Sequence, residues 1–247
     1  MRAARVLTRV RRDPRPGLGR ERATRDAKEE VPMPTVIRRA LGAALPLLVL
    51  LCTPIASAHE IVYFGRATAV SGEVTTLTAT EKVLLADVGM SCTGAPREEM
   101  LLDASNPSPL SVHASEVSAR TQGIDGVAAT ESGIQQLLLE VPGLQITAEQ
   151  IQSFAEARCN SDESIDVSGG STLSNLAING EGVAISGEPN QTIEVPNLAT
   201  IIINEQVRYS QEFRVVGLHV KIADPSQPIN GDIRLAAARA KIKTCDM

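Results

Sequence analysis

Alternation with a period of two, broken by Asn-Gly pairs, leaves this chain few folds to choose from. Ile193 and Val195 alternate with polar residues, and Ile201 and Ile203 repeat the pattern. Val216, Leu218, Val220 and Ile222 then place four branched side chains on one strand face, with Val215, Gly217, His219 and Lys221 on the other. Asn179-Gly180, Gly187-Glu188-Pro189-Asn190 and Asn230-Gly231 separate such runs. Asn-Gly supplies the positive φ angles of tight hairpin turns. Recurrence every ten to fifteen residues predicts an all-β domain, an antiparallel sandwich of two sheets.

The N-terminal half is less regular. Glu60–Phe64, Val74–Ala79 and Lys82–Asp87 read as strands, and Asn106-Pro107-Ser108-Pro109 as a loop. Residues 147–158 fit two patterns. Thr147 and Gln150 have capping-box spacing ahead of a face of Ile151, Phe154 and Ala155, which allows one short helix. The alternation Ile151, Ser153, Ala155, Ala157, Cys159 allows a strand instead. Residues 233–242 carry many helix-favouring alanines between strand-like flanks and are read as a strand. A loose repeat sets Leu110-x-Val112-x-Ala114 with Val117 against Leu144-x-Ile146-x-Ala148 with Ile151, 34 residues on. Two copies fall short of a solenoid and read as two similar pieces of one domain.

Charge divides the chain. Residues 1–58 hold 12 of the 24 Lys and Arg but 5 of the 29 Asp and Glu, a net of +7; residues 59–247 carry −12. At the join, Arg38-Arg39 precede an apolar run, Leu41–Leu51, and Ala56-Ser57-Ala58 offers a small-x-small cleavage signature. Residues 33–58 therefore read as a secretory signal peptide, too short in its apolar run to span a bilayer. Residues 1–32 read as a disordered or non-native extension, and 59–247 as one exported β-rich domain with no transmembrane segment. Such an acidic body is repelled by nucleic acid and anionic membranes. Aromatics make up 2% of the chain, with no Trp, which argues against base-stacking and sugar-stacking platforms.

Several stretches carry a family resemblance. They are STLSNLAINGEGVAISGEPNQTIEVPNLATIIINEQV, ending at Val207; VVGLHVKI at 215–222; and GDIRLAAARAKIKTC at 231–245, with LLADVG at 84–89 and LLLEVPGL at 137–144 upstream. Together they resemble the choice-of-anchor P family of bacterial exported proteins over roughly residues 61–245. The resemblance implies an exported, surface-associated role without assigned activity, and brings no catalytic residues. It also favours a disulfide between Cys159 and Cys245, because the terminal Ala-Arg-Ala strand commonly ends in Cys there. Cys92 is then left over as a free-thiol candidate.

Reactive constellations are sparse. Cleavage after Ala58 would leave His59 as an N-terminal residue able to chelate copper, with His113 or His219 completing the site. Asn160-x-Asp162-x-Ser164-x-Asp166 has alternate oxygen donors, but Ile165 and Ser171 stand where a calcium loop needs Gly and Glu, so it reads as a solvated loop. No Cys-x-x-Cys, Gly-x-Ser-x-Gly or His-Glu-x-x-His occurs. The expectation is a non-enzymatic, cofactor-free protein, secreted or loosely surface-associated, that binds an extracellular or envelope macromolecule. A copper-binding protein using His59 is the alternative.

Overall fold

The computed structural model describes residues 61–106, 110–224 and 229–245, all within one compact unit. The expected signal peptide, the extension before it, His59 and the Pro107–Pro109 segment lie outside the described residues. Among the described residues thirteen strands form two sheets, with every pairing antiparallel. Sheet A has the order β10 (Gln191–Val195), β11 (Ala199–Arg208), β12 (Glu212–Asp224), β13 (Ile229–Ile242), β1 (Tyr63–Thr75), β2 (Thr80–Gly89). Sheet B runs β3 (Arg97–Asn106), β4 (Ser111–Ile124), β5 (Val127–Val141), β6 (Leu144–Cys159). Its last position is shared: β7 (Ile165–Ser174) pairs with one half of β6, and β8 (Ala177–Ile178), followed by β9 (Glu181–Gly182), with the other. Neither sheet closes into a barrel, and among the described residues there is no helix.

The two sheets bury a core of Leu, Ile, Val and Ala, including Leu110, Ile134, Leu139, Ile146, Ile201, Leu218 and Leu235. Each such Leu or Ile contributes about 1.5–3 kcal/mol on leaving water. A smaller cluster at one end gathers Tyr63, Val167, Phe213 and Ile242 around Cys245. Cys245 is bonded to Cys159 across 86 residues, tying the segment after β13 to the end of β6. Cys92 is also disulfide-bonded, so the expectation of a free thiol there is corrected. The sheet edges β2 and β3 are bridged by side chains: the Asp87 amide donates to Glu99 (2.9 Å) and Asn106 donates to Glu81 (3.2 Å).

Each sheet is crossed by one level at which the strands turn over. In sheet A the pairing passes from Thr68–Asp87 to Val70–Leu85, from Val216–Ala237 to Leu218–Leu235 and from Glu205–Val216 to Ile203–Leu218. The skipped level holds Ala86, Ala69, Ala236, Gly217 and Asn204. Ala86, Ala236 and Asn204, on alternate strands, have left-handed φ of 46°, 51° and 53°. In sheet B, Asp103 (52°) and Gln136 (49°) occupy the same kind of level with Ser115 and Glu149. A left-handed residue costs about 1–2 kcal/mol for a side chain bearing Cβ. It also reverses the side to which the following residues point. Burial accordingly shifts phase: Phe213, Val215 and Gly217 face inward, then Leu218, Val220 and Ile222. Register is kept because both partners turn together.

This crease corrects the single-face reading of Val216, Leu218, Val220 and Ile222, since Val216 lies on the outer side with the neighbouring Val215 buried. It explains the 34-residue repeat too: β4 and β6 run the same way across one crease, turning at Ser115 and Glu149. The short helix allowed at 147–158 is absent. That stretch lies within β6, flanked by β5 and β7, with Ile151, Ser153, Ala155 and Ala157 buried and Phe154 exposed. Of Val74–Ala79, read as a strand, Val74 and Thr75 end β1 while residues 76–79 form the β1–β2 turn, and Asn230-Gly231 lies inside β13. Asn179-Gly180 does turn the β8–β9 hairpin, with φ of 50° and 82°. Asp125-Gly126 (47° and 75°) does the same between β4 and β5.

Gly217 is required by close approach. A Cβ there would lie 2.5 Å from Ile151 Cγ2 and 3.0 Å from Ser153 Oγ, whereas one at Gly89 meets nothing within 4 Å. Gly217→Ala is expected to destabilise the protein by about 1–3 kcal/mol in urea denaturation, and Gly89→Ala to change stability by less than about 0.5 kcal/mol. Replacing Cys159 and Cys245 together by Ser should cost about 2–4 kcal/mol in the same assay.

Candidate functional site

The crease in sheet A places a concavity of about 650 Å³ on the outer face, away from the core. Residues on both sides of the turnover line it. Arg66, Arg214 and Arg239 come from one side; Lys221, His219 and Arg234 come from the other. Its volume lies within the range of small-ligand clefts. A smaller groove of about 400 Å³ on the outer face of sheet B runs beside Met100, Arg120, Glu131 and Phe154.

Register determines which charges meet in the larger concavity. Arg66 is opposite Arg239, and Arg239 opposite Arg214, so three guanidiniums occupy one level of three adjacent strands. Like charges directly opposite destabilise a sheet unless counter-charges intervene. Asp87 is one such group. It accepts from Arg66 Nε (2.6 Å), is ion-paired with Arg66 Nη2 as well, and accepts from Thr68 Oγ1 (2.6 Å). Glu212 is the other, 5% exposed, with Oε1 paired to Arg214 and Oε2 accepting from Arg239 (2.7 Å).

These partners shift both carboxyls. The Arg66 hydrogen bond, opposed by burial and reinforced by Thr68, holds Asp87 below the usual carboxylate range. Burial pushes Glu212 up, but Arg239 and Arg214 outweigh it and hold the carboxyl low.

Beyond the crease, His219 is 3% exposed although it belongs to the outer face. Its Nδ1 lies 2.8 Å from Glu205 Oε2 on β11, and its Nε2 lies 3.1 Å from Asp232 Oδ2 on β13. Each ring nitrogen therefore has a carboxylate oxygen within hydrogen-bond distance. Asp232 also pairs with Arg234 (3.3 Å). The imidazole thus ties three strands together and has no free nitrogen to bind a metal or take a substrate proton.

His59, the anchor of the copper alternative, lies outside the described residues. His113 is exposed on β4 of sheet B and His219 lies on the outer face of sheet A, so the two do not share a site. Among the described residues no group of three or more His, Cys, Asp or Glu could hold a metal ion. The Asn160–Asp166 stretch closes on itself as the β6–β7 turn: Asn160 donates to Ser164 (2.9 Å) and Asp166 (3.0 Å), and Ser164 Oγ to Asp162 (2.6 Å). Sequence reasoning missed the arginine row, because Arg66, Arg214 and Arg239 are far apart along the chain. The only local signal was charge alternating with apolar residues in β12 and β13.

Both depressed carboxyls link stability to acid. Unfolded, they titrate near pH 4. Between that value and the folded one the unfolded chain binds more protons, so stability is full above about pH 5 and falls as the pH drops through the folded pKa. Urea midpoints measured from pH 7 to pH 2.5 should fall more steeply below pH 4 for the native protein than for Asp87→Asn/Glu212→Gln, which starts lower and titrates more gently.

No family model matches the chain, and no curated protein matches it. Among solved structures it is aligned with Ail, the attachment invasion locus protein of Yersinia pestis, at 4% identity, over 74% of this chain and 99% of that one. The TM-score of 0.17 is too low for that likeness to carry any argument.

Proposed function

We propose that this protein is exported and serves, without catalysis, as an extracellular or cell-surface interaction protein that offers the outer face of sheet A to another macromolecule. The observation that carries this reading is the concavity of about 650 Å³ astride the crease. Its floor is made of adjacent strands whose side chains are cross-linked by Asp87, Glu212 and His219. A floor tied in this way keeps its shape without a ligand, which lowers the ordering cost of binding.

Export is supported by the Arg38-Arg39 pair and the Leu41–Leu51 run, and by the resemblance to choice-of-anchor P proteins. The Cys159–Cys245 bond suits the same destination, because disulfides persist in oxidising compartments. Expression of the full chain in a bacterial host, followed by fractionation and non-reducing intact mass, tests the reading. The expected product is found in the periplasm or medium with Cys159 joined to Cys245. Retention in the cytoplasm, with residues 33–58 still attached, would overturn it.

A further inference from the structure

The arginine row is not evenly neutralised. Arg66 has a carboxylate of its own, since Asp87 engages both its Nε and Nη2. Arg214 and Arg239 instead share the single carboxylate of Glu212, one oxygen each. Among the described residues neither guanidinium makes any other hydrogen bond. Five N–H donors per guanidinium leave four on each for something outside the protein. Two cations on one anion leave this trio at +1, in a body that otherwise carries net negative charge.

Geometry adds to the charge. Arg214 and Arg239 are directly opposite on neighbouring strands, whose spacing is about 4.8 Å. Their side chains are 45% and 46% exposed, while the Glu212 side chain beneath is 7% exposed. The Arg214 guanidinium also lies 5.2 Å from the centre of the Tyr209 ring, which restricts its plane. Two forks anchored on one buried carboxylate, open on the other side, match a shared oxyanion, because guanidinium groups bind carboxylate and phosphate oxygens in paired, charge-assisted bonds.

We propose that Arg214 and Arg239 form an oxyanion-binding site in the concavity of sheet A, gripping one phosphate, sulfate or carboxylate group of a ligand between two strands. This rests on the outer face of sheet A being the binding face, and it deepens that reading by naming the chemistry recognised. Glu205 and Asp232 face His219 across the crease, so the anion's place is on the arginine side, not there.

The test is titration of the purified, folded protein with inorganic phosphate, sulfate, citrate and tripolyphosphate, following the Nε–H resonances of each arginine by NMR. Saturable shifts confined to Arg214 and Arg239 are expected, weakened by sodium chloride. Saturation with citrate as well as phosphate identifies the oxyanion itself as the recognised group; saturation with phosphate and tripolyphosphate alone narrows it to phosphoryl groups. Arg214→Gln or Arg239→Gln should weaken binding roughly tenfold, the loss expected for one charge-assisted contact, while Arg120→Gln on sheet B leaves it unchanged. Should a variant fail to fold, the native resonances still decide. Linear, non-saturating shifts of equal size at Arg120 and Arg214 would overturn the site, as would variants that lower thermal stability yet bind as the native protein does. Cytoplasmic retention would end the export reading and leave this result untouched.

Discussion

The structure depends on a constraint that acts across strands rather than along them. A single left-handed residue in a paired strand would reverse its later side chains and leave its neighbours mismatched. In sheet A, Ala86, Ala236 and Asn204 adopt that conformation at one level, and the strands between them turn at the same level. Reversal shared by β11, β12, β13, β1 and β2 costs backbone energy but preserves the ladder and the core. Asn204 adds a second tie: its Oδ1 accepts from the Ser171 amide of β7 at 3.0 Å, joining the crease of sheet A to sheet B. Small residues fill the remaining positions, and Gly217 packs against Ile151 where no Cβ would fit.

The outer charge pattern is a second result of the same register. Residues distant in sequence are locked side by side, so Arg66, Arg239 and Arg214 meet whether or not their mutual repulsion is favourable. Asp87 settles one end. Glu212 settles the other only in part, since one buried carboxylate is divided between two guanidiniums. The more exposed Arg66–Asp87 pair stabilises little, about 0–1 kcal/mol, and contributes more to holding its side chains in place. On the far side of the crease, His219 with Glu205 and Asp232 is a closed arrangement with both ring nitrogens engaged.

Fold class was legible in the sequence because alternation and Asn-Gly turns are local signals, as at Asn179-Gly180. The crease was not. It breaks alternation by one step within a strand, so Val215-Val216 and Glu149-Gln150-Ile151 look like ambiguous or helical spacing. The faint 34-residue echo was its visible trace, but a single chain gives no reason to read that echo as a turnover. Asp125-Gly126 was legible in principle, being a hairpin pair of the same kind as Asn-Gly, and was overlooked among longer runs. The places of His113 and His219 were illegible for a different reason: an isolated imidazole carries no information about which sheet, or which face, it will occupy. The arginine site is likewise a product of pairing between β1, β12 and β13, which only the assembled sheet reveals.

The position of β13 also bears on how the molecule is made. It is the last of the described strands, yet it lies in the middle of sheet A, between β12 and β1. Sheet B, from β3 to β9, is contiguous in sequence and can assemble as the polypeptide emerges. The hairpin of β1 and β2 must wait, one edge of its ladder unsatisfied, until β13 has been synthesised. Such deferred, long-range pairing slows folding. A slow finish of this kind keeps the body open until late, and its locked form arises only once the first and last of the described strands have met.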